Sequence, residues 1–249
     1  MSAVLETHDL CKRFGALTVA EKINFRLEPG ARHALIGPNG AGKTTFVNLL
    51  TGLLPPTSGR VAIAGEDVTL LPQSGRVKRG LGRTFQINTL FREMSVLDNV
   101  ALGVAERLGL SGRLWRPAHA HQAVRDEAMG LLTSLGIGDE SSRRVIDLPY
   151  GKQRLVEIAI ALGLKPKVLL LDEPAAGVPS QESERILQAL DSLPGDIAIL
   201  IIEHDMDLVF RFAQRITVLV QGEVLCEGSP AEIANDVRVK SVYLGERHV

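Results

Sequence analysis

The chain has 249 residues, 45% hydrophobic and 23% charged, with a formal net charge of -1. This composition is typical of a globular protein, and the near-zero charge gives no general attraction to nucleic acid. Cys11 and Cys226, the only cysteines, lack metal or redox spacing, so a reduced cytosol is the simplest compartment. We find no secretory signal and no apolar run near the roughly 20 residues of a membrane helix, so we expect a soluble chain.

The first part of the chain contains two patterns. Residues 4–36 alternate short apolar stretches with turn signals, which predicts a small antiparallel sheet. The stretch ALIGPNGAGKTT follows, and apolar residues from Phe46 to Leu50 then recur in helical register until Gly52. This order predicts a strand, a glycine-rich loop and a helix.

The rest of the chain predicts a helical insert and a parallel sheet. Residues 95–164 are mostly helical in pattern. Beyond them the runs VLLLD, IAILII and ITVLV alternate with helical patterns at 180–193 and 206–213. Continuous apolar runs between helices are typical of buried parallel strands.

The glycine-rich loop matches the phosphate-binding pattern G-x-x-x-x-G-K-[ST] in the strand and helix context that this pattern requires. Its backbone N–H groups and the helix N-terminus attract an anion. We expect Lys43 to reach the β- and γ-phosphates of a nucleoside triphosphate and the Thr44 hydroxyl to bind Mg²⁺. The candidate nucleotide-binding residues here are Gly37, Pro38, Asn39, Gly40, Ala41, Gly42, Lys43, Thr44 and Thr45.

Two predicted strands end in polar side chains, at the edge where open α/β sheets bind ligands. VLLLDE supplies Asp172 for Mg²⁺ and Glu173 to polarise the water that attacks the γ-phosphate, and IAILII ends in Glu203 and His204. Alone, the acid pair is more often a helix cap or solvated rim, and the histidine a satisfied surface or core residue. The nearby Lys43 loop favours catalytic roles for Lys43, Glu173 and His204.

Together these motifs resemble the nucleotide-binding subunit of an ATP-binding cassette (ABC) transporter over nearly the whole chain. The resemblance implies that Phe14 of KRFG stacks on adenine, that residues 37–45 form the Walker A loop, and that Gln86 of RTFQ is the Q-loop glutamine, which contacts nucleotide and metal. It assigns the two carboxylates to Walker B and the catalytic base, and His204 to the switch histidine. In isolation, Phe14 and Gln86 are more simply a core phenylalanine and a surface glutamine.

The resemblance implies an α/β fold: a P-loop NTPase core with a mostly parallel sheet, an N-terminal antiparallel β lobe and a helical insert. We expect one ABC ATPase domain over residues 1–249, with the core in about 1–94 and 165–249 and the helical subdomain in about 95–164. The implied enzyme is an ATPase coupled to transmembrane transport, with ATP and Mg²⁺ as cofactors.

The stretch LPYGKQR matches the family's signature loop, with a proline where a phosphate-binding serine is usual. The resemblance implies that this loop closes over the ATP of a second cassette in a head-to-tail dimer. Because Pro149 has neither a hydroxyl nor an N–H, binding must fall to Gly151 and the following amides, and whether Lys152 compensates stays open. The residues expected to contact ATP in trans are Pro149, Tyr150, Gly151, Lys152 and Gln153.

The L-x-Y-G form of this loop, GRTFQ, AAGVPS and the C-terminus look like the branched-chain amino acid uptake group of bacterial importers. We expect a peripheral subunit at the cytoplasmic face of the inner membrane that binds permease subunits, a second cassette of the same or a similar kind and, indirectly, a solute-binding protein, but no nucleic acid. Leu90 and Phe91 are the candidate permease anchors. The alternatives are a lipid or glycan exporter ATPase and a soluble cassette ATPase outside transport. The solute and the choice of homodimer or heterodimer stay open.

Other features have simpler interpretations. The basic run GRVKRGLGR, residues 75–83, is interpreted as a solvated face. His119 and His121 fall on different faces of a predicted helix, so they predict no metal site. Trp115 is expected to pack the helical insert, and the two cysteines are expected to be small buried hydrophobes.

Overall fold

The strands of the chain form two sheets. The computed structural model describes residues 3–84, 90–110 and 118–245. Within these residues the strands are β1 (Leu5–Phe14), β2 (Leu17–Leu27), β3 (Arg32–Ile36), β4 (Ser58–Ile63), β5 (Glu66–Asp67), β6 (Leu81–Arg83), β7 (Val168–Asp172), β8 (Ala198–Ile202), β9 (Arg215–Val220) and β10 (Glu223–Gly228). One sheet has the order β10-β9-β3-β8-β7-β6 and is parallel except at the β9–β10 pair, and the other is antiparallel with the order β2-β1-β4-β5.

The helices pack on the parallel sheet and extend from it. In the described part of the chain they are α1 (Lys43–Thr51), α2 (Gln73–Val77), α3 (Val96–Arg107), α4 (Ala118–Ser134), α5 (Tyr150–Gly163), α6 (Ser180–Asp191), α7 (Met206–Phe212), α8 (Pro230–Asn235) and α9 (Val237–Gly245). Gly52 ends α1 in the left-handed conformation (φ 78°), which costs glycine little. Helices α3 to α5 fall in the stretch that was predicted to be a helical insert.

The strands of the parallel sheet divide their side chains between two cores. Val168 and Leu170 of β7 pack with α1 and the antiparallel sheet, while Leu169 and Leu171 pack with α3 to α7 on the opposite face. Side chains of successive strand residues point to opposite faces, so a strand that is covered on both sides needs apolar residues at every position. The continuous run VLLL therefore belongs to a central strand.

The register of the central strands brings their carboxyl ends level. Ile202 of β8 pairs with Leu35 of β3 on one side and with Asp172 of β7 on the other. The residues that follow these three strands consequently emerge at one edge of the sheet. Those residues include the start of the glycine-rich loop, Glu173 and His204.

The structure confirms the predicted α/β class, with one error in the antiparallel lobe. Residues 32–36 were included in that lobe, but β3 pairs in parallel with β8 and β9 at the centre of the other sheet. The antiparallel sheet is instead completed by β4 and β5, for which no strand was predicted. The pairing of Leu5 with Ile63 joins segments distant in sequence, and periodicity carries no information about such a pairing.

Arg76 contradicts the interpretation of residues 75–83 as a solvated face. Only 1% of its surface is exposed. The guanidinium donates hydrogen bonds to the carbonyl oxygens of Leu49 (2.6 Å), Leu50 (2.7 Å), Thr69 (2.8 Å) and Leu71 (3.1 Å). Two of these carbonyls lie at the C-terminal end of α1, where backbone acceptors lack helical partners and a cation is favoured. Burial lowers the pKa of Arg76.

We predict that Arg76→Ala lowers the free energy of unfolding by about 3 kcal/mol, because it leaves several buried carbonyl groups without donors. Urea denaturation followed by circular dichroism measures this loss. Lys78→Ala is the control, since Lys78 is exposed in the same basic run, and it should cost less than about 0.5 kcal/mol. Equal effects of the two substitutions would contradict a structural role for Arg76.

Candidate functional site

The glycine-rich loop lies between β3 and α1 and forms the floor of a cleft of about 490 Å³. The walls of the cleft include Leu17 to Val19 of β2, Gly222 and Glu173. Thr44, in the first turn of α1, is exposed to this cleft. The free N–H groups of the helix N-terminus and the loop therefore border a space open to an anion.

Two glycines of the loop are required by close packing. A Cβ atom at Gly37 (φ 155°) would lie 2.1 Å from the carbonyl oxygen of Leu219, and one at Gly42 (φ 99°) would lie 2.8 Å from that of Val19. Gly40 differs, because nothing lies within 4 Å of a Cβ built there. The loop is thus pressed against the neighbouring strands on one side and left open on the other.

Lys43 lies across its own loop. Its Nζ atom donates hydrogen bonds to the carbonyl oxygens of Gly37 (2.5 Å) and Pro38 (3.0 Å). The ammonium is therefore held beside the loop that is expected to bind phosphate. This position suits a lysine that contacts phosphate oxygens as a point charge.

Asp172 ends β7 and is tied to two other elements through Arg83. Arg83 Nη2 lies 2.9 Å from Asp172 Oδ2, and its Nη1 donates to Asn48 Oδ1 at 3.0 Å. Arg83 belongs to β6 and Asn48 to α1, so one guanidinium joins the end of β7 to both. The sequence analysis included Arg83 in the basic run and in the GRTFQ motif but gave it no role of its own.

The oxygen atoms near this edge suit Mg²⁺. The Asp172 carboxylate, which pairs with Arg83, and a threonine hydroxyl at the phosphate loop offer hard oxygen donors, which this ion prefers. Among the described residues there is no cluster of three or more His, Cys, Asp or Glu side chains that could hold a metal. One carboxylate and one hydroxyl, completed by phosphate oxygens of a nucleotide, fit Mg²⁺, which commonly uses few protein ligands.

Glu173, which borders this cleft, lies next to His204. Glu173 Oε1 lies 3.6 Å from His204 Nδ1, and both side chains are partly exposed. Glu173 adopts φ 47°, a left-handed conformation that is uncommon outside glycine, and its N–H donates to the carbonyl oxygen of Ile202 at 2.9 Å. The sheet therefore fixes the backbone of Glu173 while its carboxylate can face a ligand.

Glu203 holds the segment that follows Glu173. Its buried carboxylate accepts hydrogen bonds from the N–H groups of Ala175 (3.1 Å) and His204 (3.3 Å). Burial raises the pKa of Glu203. Sequence reasoning named this residue but gave it no role, although a charge directly after five buried apolar residues is itself a signal of a buried polar contact.

The predicted signature loop lies at the start of α5 and lines a different cleft. Pro149 is the N-cap and offers no side-chain acceptor. Gly151 and Lys152 border this second cleft, of about 390 Å³, together with residues of α4 and α6. Lys152 Nζ pairs with Glu140, and Gln153 Nε2 donates to the carbonyl oxygen of Leu148 at 2.8 Å. Within one chain, therefore, the two halves of the expected ATP site border separate clefts.

The remaining sequence candidates differ in exposure. Phe14 is 52% exposed at the end of β1, which contradicts the alternative of a core phenylalanine, and Lys12 Nζ lies 5.0 Å from its ring centroid. Cys11 is buried as predicted, whereas Cys226 is only partly buried. Outside the described residues lie Gln86, Trp115 and the side chains of His119 and His121.

Comparison with known proteins identifies the family. A family model described as "ABC transporter" matches residues 20–176. The chain belongs to the ABC transporter family. A second model, described as "Branched-chain amino acid ATP-binding cassette transporter", matches residues 223–249 of this cassette. The expected enzyme class, an ATPase coupled to transport, is confirmed by this membership.

Similarity to individual relatives covers nearly the whole chain. The chain is 39% identical to the high-affinity branched-chain amino acid transport ATP-binding protein LivG of Escherichia coli, over 98% of each chain. It also resembles a solved ATP-binding cassette of an ABC transporter in its ADP conformation, with a TM-score of 0.86, 28% identity and 98% and 100% of the two chains covered. A dimeric bacterial ABC transporter cassette gives a TM-score of 0.76 at 25% identity, covering 91% and 98%. No helix in the described part of our chain has the length and apolar composition needed to cross a membrane.

A buried pair of charged side chains in α5 contacts the signature loop through Tyr150. Arg154 Nη1 lies 2.9 Å from Glu157 Oε2, both side chains are almost fully buried, and Arg154 Nη2 donates to the Tyr150 hydroxyl at 3.2 Å. Burial raises the pKa of Glu157 to about 7, against the opposing effect of Arg154. The native state therefore binds a proton at Glu157 over a pH range in which the unfolded chain has released it.

We predict that the stability contributed by Glu157 is present below pH 4.5 and is lost as the pH rises toward 7. Glu157→Gln lacks this titration. Between pH 4.5 and 7.5 the wild-type protein should therefore lose roughly 3 kcal/mol of unfolding free energy relative to Glu157→Gln. This value follows from the raised pKa of Glu157, because each pKa unit corresponds to about 1.4 kcal/mol. Urea denaturation of both proteins across this range tests it, and a constant difference would contradict it.

Proposed function

We propose that this cassette is the ATP-hydrolysing subunit of a bacterial importer for branched-chain amino acids or a related small solute. The observation that carries the proposal is the 39% identity to LivG over 98% of both chains, supported by the separate match of residues 223–249. In this proposal the cassette works at the cytoplasmic face of the inner membrane. It energises a separate permease, and a solute-binding protein delivers the solute.

The proposed ATP site begins at the cleft over the glycine-rich loop. The loop N–H groups and Lys43 bind the β- and γ-phosphates, and Phe14, exposed at the end of β1, stacks on the adenine. Thr44 and Asp172 would hold Mg²⁺, with Gln86 as a further ligand. When bound, the ion would neutralise charge on the phosphate oxygens.

Hydrolysis is proposed to depend on the adjacent Glu173 and His204. Glu173 polarises a water for in-line attack on the γ-phosphate, and His204, 3.6 Å from Glu173, orients that water and stabilises the developing charge. Lys43 stabilises the same charge from the loop side. Catalysis of this type depends on positioning, and the proposal relies on the sheet edge to position Glu173 and His204 and on the glycine-rich loop to position Lys43.

The proposed working unit is a head-to-tail dimer. Residues 149–153 of one cassette close over the ATP bound to the other, with the N–H of Gly151 aimed at the γ-phosphate. The separation of the two clefts within one chain supports this arrangement, because neither cleft alone contains all the expected ligands. ATP binding then stabilises the closed dimer, and product release reopens it.

We predict different phenotypes for two substitutions at the ATP site. Lys43→Ala should weaken ATP binding and abolish turnover. Glu173→Gln should bind ATP with near-normal affinity, lower kcat by at least about a hundredfold and accumulate the closed dimer, because it removes a role confined to the transition state. Equilibrium binding of a fluorescent ATP analogue, phosphate release and light scattering measure the three properties. Normal turnover by Glu173→Gln would refute its role as the base.

The surface around Phe91 is the proposed permease contact. Leu90 is buried in the core and so is unavailable as an anchor, contrary to expectation, but Phe91 is 58% exposed. Asn99 fixes the Phe91 backbone through hydrogen bonds to its N–H (2.9 Å) and carbonyl oxygen (3.0 Å). Ile146 is also partly exposed, and its N–H bonds to the carbonyl oxygen of Arg92, next to Phe91. A rigidly held exposed aromatic suits a protein contact.

We predict that Phe91→Ala weakens permease association by about 2 kcal/mol and lowers transport while ATP affinity stays normal. Co-purification with the permease and transport into vesicles measure the effect. Leu70→Ala is a matched control, since Leu70 is an exposed apolar residue in the turn between β5 and α2. Unchanged association of Phe91→Ala would rule out this anchor.

A further inference from the structure

A carboxylate of the same chain caps the signature loop. The N–H of Gly151 donates a hydrogen bond to Glu182 Oε2 at 3.1 Å. Gly151 is the second residue of α5, a position whose N–H normally bonds to an N-cap side chain. Pro149, the N-cap, has no such side chain. The acceptor comes instead from α6, in a different part of the sequence.

The sequence of α6 explains why Glu182 is available. Glu182 is the third residue of α6, and a glutamate there commonly reaches back to the N–H of its own N-cap residue. That N-cap is Pro179, which has no N–H. The carboxylate therefore extends to α5, where it faces the N-termini of two helices, both of which favour an anion.

The side chain next to the Gly151 amide also has an acidic partner. Lys152, the next residue, pairs with Glu140. In the single subunit, therefore, the Glu182 carboxylate accepts a hydrogen bond from the Gly151 amide, and the Glu140 carboxylate pairs with the Lys152 ammonium. The Gly151 amide is the group to which the proposed function assigns the γ-phosphate of the partner's ATP.

We infer that Glu182 competes with the partner's ATP for the signature loop. In the separated subunit its carboxylate accepts the hydrogen bond of the Gly151 N–H, and it must release this N–H before the partner's γ-phosphate can bind there. The inference rests on the proposed function, in which residues 149–153 bind ATP in trans. A carboxylate and a γ-phosphate are both anions, and a single N–H cannot serve both at full strength. Glu182 therefore raises the ATP concentration that dimer closure requires.

The surroundings allow the displacement. Glu182 borders the cleft of about 390 Å³, which offers space for a rotated side chain. Arg185 lies three residues further along α6 and borders the same cleft, so it can pair with the displaced carboxylate.

The experiment measures the dimer fraction against ATP concentration in the Glu173→Gln chain, where hydrolysis does not interfere. Glu182→Ala and Glu182→Gln are introduced separately into this parent, and Glu184→Ala serves as the control. Glu184 lies on the same helix but pairs with Arg211. Binding of a fluorescent ATP analogue to the monomer is measured in parallel, as a readout of the Walker A half-site alone.

We expect Glu182→Ala to lower the ATP concentration at half-maximal dimerisation by roughly three- to tenfold, which corresponds to the net contribution of one ordinary hydrogen bond. Glu182→Gln, which keeps the shape but not the charge, should shift it in the same direction, and monomer affinity should not change. A midpoint that is unchanged or higher in both variants, with a parent that dimerises normally, would overturn this inference alone. A parent that fails to dimerise with ATP would overturn the proposed head-to-tail dimer and this inference with it.

Discussion

The pairing of Ile202 with both Leu35 and Asp172 is the constraint on which the site depends. This register places the carboxyl ends of β3, β8 and β7 at the same edge of the sheet. The glycine-rich loop, Asp172 and Glu173, and His204 therefore lie next to one another. A slip of one residue in β7 would exchange the side chains that face the two cores and withdraw Asp172 from the edge. Burial of apolar side chains on both faces of the sheet makes such a slip costly, and the same burial therefore maintains the geometry of the candidate site.

Polar residues around this edge each join two elements that are distant in sequence. Arg83 joins β6 to the end of β7, Glu203 joins the end of β8 to the segment after Glu173, and Glu182 joins α6 to α5.

The motifs were predictable because their chemistry is local. G-x-x-x-x-G-K-[ST] encodes a turn and a helix start within eight residues, and VLLLDE encodes a buried strand with its carboxylates, so both could be identified without a structure. Arg76, Leu90 and Glu182 could not be interpreted correctly in this way. Arg76 lies within a basic run that is typical of a solvated face, Leu90 stands beside the exposed Phe91, and Glu182 resembles any acid in the first turn of a helix. Their environments are set by residues that lie far away in the sequence.

The sequence by itself therefore determined the family, the ATP-binding chemistry and the order of the motifs, since each is written in a short contiguous pattern. Only the tertiary structure decided which strands share a sheet, that the signature loop and the Walker A loop border separate clefts, and that a carboxylate caps Gly151. The physical reason is that strand pairing and interhelical capping satisfy backbone groups with partners from other elements, and a local pattern shows that a partner is needed without showing which one.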